Sequence, residues 1–130
     1  MRDTARILVV DDETGMVRAV ERVLGAAHNV VGSQSSPAAL AIARRFDPDL
    51  VILDVRMPEI DGFELIKRIR ALPNTEISNV PAAALTAFAR SEDRTKALQC
   101  GFEMHLAKPV DPGELVASVA TLVRRKRISL

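Results

Sequence analysis

Short apolar runs alternate along this chain with stretches whose hydrophobic residues recur at helical spacing. Arg6-Ile7-Leu8-Val9-Val10 reads as a buried strand and ends at once on Asp11-Asp12-Glu13. Met16, Val20, Val23 and Leu24 then fall at i, i+4, i+7 and i+8, which predicts an amphipathic helix closed by Gly25 and Ala26-Ala27-His28-Asn29. Val30 to Ser33 is a short strand. Ser36-Pro37 opens a second helix, serine capping and proline in the first turn; it runs through Leu40 and Ile42 to Phe46, where Asp47-Pro48 stops it. Leu50-Val51-Ile52-Leu53 follows, an unbroken apolar run typical of a strand covered on both faces by helices. The spacing of Leu65, Ile69 and Leu72 predicts a third helix ended by Pro73, and Pro73 to Asn79 has a loop's composition. Val80 to Leu85 reads as a strand, although alanine is a poor strand former and Pro81 belongs at a strand's start. It leads into Thr86-Ala87-Phe88-Ala89. Ser91 caps a fourth helix that ends at Cys100-Gly101, and Phe102 to Ala107 is the last strand. Asp111-Pro112-Gly113-Glu114 starts a fifth helix, with a cap, a proline at N1 and an acid in capping-box position. Its apolar stripe is Leu115, Val116, Val119, Leu122 and Val123.

Strands alternating with helices predict an α/β protein with a parallel sheet, helices on both faces and right-handed crossovers. The 130 residues suit one domain, with no linker to a second. Hydrophobic content of 48% and charged content of 27% are ordinary for a globular chain. Charge changes the picture slightly. The net value is +1, but Arg124-Arg125-Lys126-Arg127 supplies four of the 18 basic residues, leaving 14 against 17 acidic ones in the body. Such a body offers no basic face for nucleic acid, and the basic run favourably ends the last helix. The lone Cys100 excludes an internal disulfide and, with no apolar run long enough for a membrane span, points to a cytoplasmic protein.

The candidate chemistry lies at the strand ends. A charge straight after a buried strand is costly in a core, so Asp54 belongs at the carboxyl end of its strand, facing a polar crevice. Met57-Pro58 and Asp61-Gly62 then turn the chain, glycine tolerating positive φ. A parallel sheet brings Asp11 and Asp12, Asp54, Thr86 and Lys108 to one edge, where ligands of open α/β sheets bind. Three carboxylates in one crevice repel one another, and a hard cation such as Mg²⁺ relieves the repulsion. A carboxylate beside that cation can act as a nucleophile toward phosphorus, and Asp54 is the central one. Lys108 would hold a phosphoryl oxygen from the other side, with the Thr86 hydroxyl bonding another. The plainer alternative has Lys108 merely salt-bridging the acids and Thr86 merely ending a strand.

The sequence resembles a response-regulator receiver domain of two-component signalling, from Arg6 to about Val123. The resemblance rests on Val9-Val10-Asp11-Asp12-Glu13, Leu53-Asp54-Val55-Arg56-Met57-Pro58 with Asp61-Gly62, Leu85-Thr86-Ala87 and Ala107-Lys108-Pro109. It implies a flavodoxin-like (βα)5 fold of strand order 2-1-3-4-5, with residues 1–130 as one receiver domain, a core over 6–123 and a basic tail over 124–130. It assigns Asp54 as phosphoacceptor, and Asp11, Asp12, Asp54 and the backbone carbonyl of Arg56 as ligands of Mg²⁺, for which Mn²⁺ can substitute. Thr86 and Lys108 would bind the phosphoryl group, the Lys108-Pro109 peptide being usually cis in the family. Thr86 and His105 would form the conformational switch, His105 standing where Tyr or Phe is commoner. Protonation of His105 would then make the output pH-sensitive. Arg56 and Phe88 occupy places that tune dephosphorylation, and a bulky pair there implies a persistent signal; Arg56 pairing with Glu13 or the phosphoryl group, or pointing into solvent, is the alternative.

The implied role is a phosphoacceptor, not an enzyme acting on a separate substrate, though it promotes its own phosphorylation and dephosphorylation. The phosphoryl group would come from a histidine kinase or histidine phosphotransfer domain. Output would pass to a downstream protein, or to a homodimer, through the face of the fourth helix, fifth strand and fifth helix. The alanine-rich strand and the Phe102-to-Pro112 segment are similar to receivers fused to hybrid sensor kinases, so a stand-alone regulator and a phosphorelay domain both stay open. A flavodoxin is excluded because Asp11-Asp12-Glu13 would repel the flavin phosphate. A haloacid-dehalogenase-type phosphatase would want an aspartate where Arg56 stands. The alternative of a phosphorylation-independent pseudo-receiver scaffold is disfavoured because no acidic or lysine position is missing.

Overall fold

The computed structural model describes residues 4–87 and 91–129, and the side chains among them except at 91 and 126–129. The strands are β1 (Arg6–Val10), β2 (Asn29–Ser33), β3 (Leu50–Asp54), β4 (Ala82–Thr86) and β5 (Met104–Ala107). The helices are α1 (Thr14–Leu24), α2 (Ser36–Phe46), α3 (Gly62–Arg70), α4 (Thr75–Ser78), α5 (Ser91–Cys100) and α6 (Pro112–Ser129). All strand pairs are parallel, in the order β2-β1-β3-β4-β5. Alternation along each strand sorts the core into two layers. Leu8, Val10, Val51, Leu53, Ala82 and Ala84 face α2, α3, α4 and α5. Ile7, Val9, Leu50, Ile52, Leu85 and Leu106 face α1 and α6. The strand order reverses between β1 and β3, so the carboxyl ends of those two strands open onto one crevice.

Several elements differ from the sequence reading, each for a local reason. The cap of α2 is Ser35, whose hydroxyl accepts from the Ala38 amide at 3.3 Å, while Ser36 is buried in the first turn. The Pro73–Asn79 connection contains α4, one turn held by the Asn74 side chain, which accepts from the Glu76 and Ile77 amides. In α1 the buried positions are Val17, Val20 and Leu24, with Met16 and Val23 at the margin. Val116 is not part of the α6 stripe but is 51% exposed. Gly62 does not take positive φ; that conformation falls to Glu59 (φ 68°) and Asp47 (φ 52°), and Gly62 opens α3. The alanine-rich β4 forms because both its edges are paired, to β3 and to β5, so tertiary context overrides propensity. The cap expected of the Ser91 side chain lies outside the described residues. The basic run 124–127 continues α6, which extends to Ser129.

Arg70, at the end of α3, holds three later segments together. Its guanidinium donates to the carbonyls of Ser78, Val80 and Gly101 and pairs with the Glu103 carboxylate at 2.7 Å. Glu103 in turn accepts from the Ala82 amide, and burial pushes its pKa up although Arg70 pulls it down. Gly101 ends α5 at φ +115°, and any Cβ there would sit 3.2 Å from Arg70 Nε. Arg70→Ala would strand three carbonyls and a half-buried carboxylate. It is expected to cost about 2–4 kcal/mol in denaturant unfolding, and Arg70→Lys nearly as much because an ammonium cannot reproduce the fork.

Candidate functional site

The crevice at the carboxyl ends of β1 and β3 is built directly by the strand ends. Asp11 follows β1 and is fully buried, its amide donating to the Ser33 carbonyl of β2 at 3.1 Å. One carboxylate oxygen of Asp11 accepts from the Glu13 amide at 2.9 Å, and the other lies 2.8 Å from Lys108 Nζ. Asp54 is the last residue of β3 and only 4% exposed. Its Oδ1 accepts a long bond of 3.4 Å from the Arg56 amide, and its Oδ2 lies 3.4 Å from the same ammonium. Asp12 is exposed at the mouth. One oxygen from each of Asp11, Asp12 and Asp54 can be chosen so that all lie within 4.8 Å of one another, a group that could hold a metal ion.

Lys108 closes the other side. Its amide donates to the Thr86 carbonyl at 2.8 Å, extending the β4–β5 ladder by one residue, and its peptide to Pro109 is cis. From that anchor Nζ reaches Asp11, Asp54 and, at 3.3 Å, Glu13. Thr86 is 1% exposed, and its hydroxyl has no hydrogen-bond partner among the described residues. A buried hydroxyl left unbonded costs stability in this state, and a state that gave it an acceptor would recover that cost.

The electrostatics follow from burial and crowding. Desolvation, and then the Asp11 charge, push the pKa of Asp54 from 3.8 up to about 6, against the pull of Lys108. Asp54 is therefore still largely a carboxylate at neutral pH, and a basic one. For Lys108 burial acts downward, but Asp11, Asp54 and Glu13 outweigh it, so its pKa rises and it stays an ammonium. The donor set is all oxygen, anionic and open to water at Asp12, which fits a hard divalent cation that keeps part of its hydration shell.

The remaining positions singled out in the sequence lie farther out. Arg56 is exposed and, with Asp61 and Phe63, lines a groove beside the crevice, while Glu13 is taken up by Lys108. Phe88 lies outside the described residues. His105, half-buried on β5, accepts a hydrogen bond from Arg94 Nε at 3.1 Å. Burial and then the Arg94 charge lower its pKa below 6.5, with Glu114 acting the other way. Protonation of His105 therefore needs a more acidic pH than that of an ordinary imidazole. Glu13 is a candidate partner of Arg56 by sequence, but it pairs with Lys108; Arg94 has no signal in the sequence, because its contact with His105 joins two separate elements.

A family model for the response regulator receiver domain matches residues 7–120. The chain belongs to this family. Among relatives of this receiver domain, a 14.6 kDa protein of Leptolyngbya boryana is 47% identical over 116 residues, covering 87% of this chain and 86% of that one. Response regulator PleD of Caulobacter vibrioides is 39% identical over 96% of this chain. The receiver domain thus spans most of the Leptolyngbya protein but only 27% of PleD. The solved structure of chemotaxis protein CheY4 of Vibrio cholerae superposes with a TM-score of 0.85 at 28% identity, over 92% of this chain and 98% of that one. Among the described residues no helix is long and apolar enough to cross a membrane.

Proposed function

We propose that this chain, as a single receiver domain over residues 1–130, accepts a phosphoryl group on Asp54 in a Mg²⁺-dependent reaction and thereby changes how it binds a partner. The observation that carries the reading is the pairing of one ammonium, Lys108, with two buried carboxylates from different strands, beside a buried hydroxyl that lacks a partner among the described residues. Asp11, Asp12, Asp54 and the Arg56 carbonyl would hold Mg²⁺, which when bound would supply charge neutralisation at the phosphoryl oxygens. Mn²⁺ has the same ligand preference and can substitute.

A carboxylate oxygen of Asp54 attacks phosphorus, and the bond from phosphorus to the donor's leaving atom breaks. The departing electron pair leaves with that atom, an imidazole nitrogen when the donor is a histidine kinase or histidine phosphotransfer domain, and solvent supplies its proton. Lys108, already within 3.4 Å of Asp54 Oδ2, exchanges that contact for a phosphoryl oxygen. The Thr86 hydroxyl gains the acceptor it lacks, and His105 moves into the space it leaves. Arg56 and Phe88, at the family positions that tune dephosphorylation, slow hydrolysis of the acyl phosphate and lengthen its life. The modified state is read by a downstream protein, or by a second copy, on the face of α5, β5 and α6. The domain is a signal carrier in the cytoplasm rather than an enzyme with its own substrate, and serves either alone or as a phosphorelay module.

The test is incubation with an acyl-phosphate donor, followed by intact-mass measurement and peptide mapping. A single phosphoryl addition that maps to Asp54, and is lost when EDTA removes the divalent cation, is the expected result. A folded protein that gains no mass would overturn the reading.

A further inference from the structure

His105 shares its side of β5 with Ala107, and the register Ala84↔His105 and Thr86↔Ala107 places both beside Ala84 and Thr86 of β4. Ala84 belongs to the layer under Ala97 and Phe102, whereas Leu85 and Leu106 face the opposite layer. The two strand residues completing the diagonal between His105 and Thr86 are therefore alanines. No bulky side chain of the sheet separates the imidazole from the unpartnered Thr86 hydroxyl. Among the described residues the sheet offers no steric hold on His105, but Arg94 of α5 does supply one. The Arg94 guanidinium can only donate, so the His105 Nε2 that receives it must carry a lone pair, and the ring proton must sit on Nδ1.

We propose that Arg94 is a latch on His105: its hydrogen bond fixes the imidazole toward α5 in the unmodified domain, and modification of Asp54 releases it. This rests on the switch reading of Thr86 and His105 given above. Inward movement of the ring cannot occur without giving up the bond to Arg94. The bond therefore biases the domain toward its resting state, and its loss should shift the balance between the two ring positions by about three- to tenfold. The lowered pKa of His105 agrees, since a protonated ring could not accept from Arg94. Among the described residues, the charged groups around the ring are Arg94 from α5, Glu103 before β5 and Glu114 from α6.

The chain contains two histidines, and the other provides an internal control. His28 accepts from the Ala5 amide through Nδ1 at 3.0 Å, so its proton sits on Nε2, the opposite tautomer. Imidazole ¹⁵N shifts separate a protonated ring nitrogen from a bare one. They can be recorded on the full chain at neutral pH, first without donor or metal and then as an acyl phosphate and Mg²⁺ are added and the mass is followed. Wild type should show His105 protonated on Nδ1 and His28 on Nε2. Arg94→Ala should reduce the His105 tautomer ratio about three- to tenfold while leaving His28, and hence the fold around β1, unchanged. In wild type the Nδ1–H signature of His105 should fade in step with the gain of phosphoryl mass. An unchanged tautomer ratio in Arg94→Ala overturns the latch, as does a signature that persists in fully modified wild type. A protein that gains no mass overturns the phosphoacceptor reading, and with it the release step, while the comparison made without donor still decides whether Arg94 holds the ring.

Discussion

Asp54→Asn is expected to take up no phosphoryl group from an acyl-phosphate donor and, at neutral pH, to be more stable than wild type by on the order of 1–3 kcal/mol. The loss of uptake follows from removing the carboxylate proposed to attack phosphorus. The gain in stability follows from the sign of the pKa shift. Burial and the Asp11 charge raise the folded-state pKa of Asp54 from 3.8 to about 6, so the folded state holds a proton there more tightly than the unfolded chain does. Ionising Asp54 therefore works against folding. The penalty is absent below pH 3.8, grows through about pH 6 and is complete above it. Urea unfolding of both proteins across this range should show the advantage of Asp54→Asn at neutral pH shrinking to nothing in acid. Lys108→Ala should behave in the opposite way. It leaves Asp11 and Asp54 buried beside each other without their cation, at a cost of about 3 kcal/mol, and slows phosphoryl uptake by about 10²–10³-fold. Two substitutions on one ion pair that shift stability in the same direction would show that the crevice is not charge-strained.

How much of this was legible beforehand depended on whether the interaction was local. Strands β1 and β3 announce themselves as apolar runs, and the residues ending them are adjacent in sequence to the runs, so the crevice could be assembled from strand ends alone. The choice between Ser35 and Ser36 as cap could not, because both are serines and proline is accepted at either of the first helical positions. Helix α4 is four residues long, too short for periodicity to register, and depends on one Asn74 side chain. Arg70 looks like any cation in a last helical turn, yet its partners are 8 to 33 residues away. The Arg94–His105 bond spans 11 residues and two elements. Each of these is set by packing between segments whose relative placement only the folded sheet defines.

Gly62→Ala shows the same distinction with the sign of an effect at stake. Gly62 opens α3, and by helix propensity alone alanine there would stabilise the domain by up to about 1 kcal/mol. The fold dictates the reverse. A Cβ at Gly62 would lie 2.2 Å from the Asp54 carbonyl oxygen, 2.7 Å from Val55 Cα and 2.9 Å from the Asp54 carbonyl carbon, all of them backbone atoms that cannot swing aside. The Gly62 amide also donates to the Val55 carbonyl at 3.1 Å, so moving the glycine away breaks a bond that ties the start of α3 to the end of β3. Relief has to come from displacing the Asp54–Val55 peptide, which carries the proposed phosphoacceptor. Gly62→Ala is therefore expected to lose about 3 kcal/mol or more of unfolding free energy and to slow phosphoryl uptake even under conditions where it remains folded. Gly62→Ser should do the same, since the obstruction is at Cβ and not beyond it. A Gly62→Ala protein at least as stable as wild type in urea would mean that the loop after β3 can move away from Asp54, and that the close approach of α3 is not what fixes the crevice.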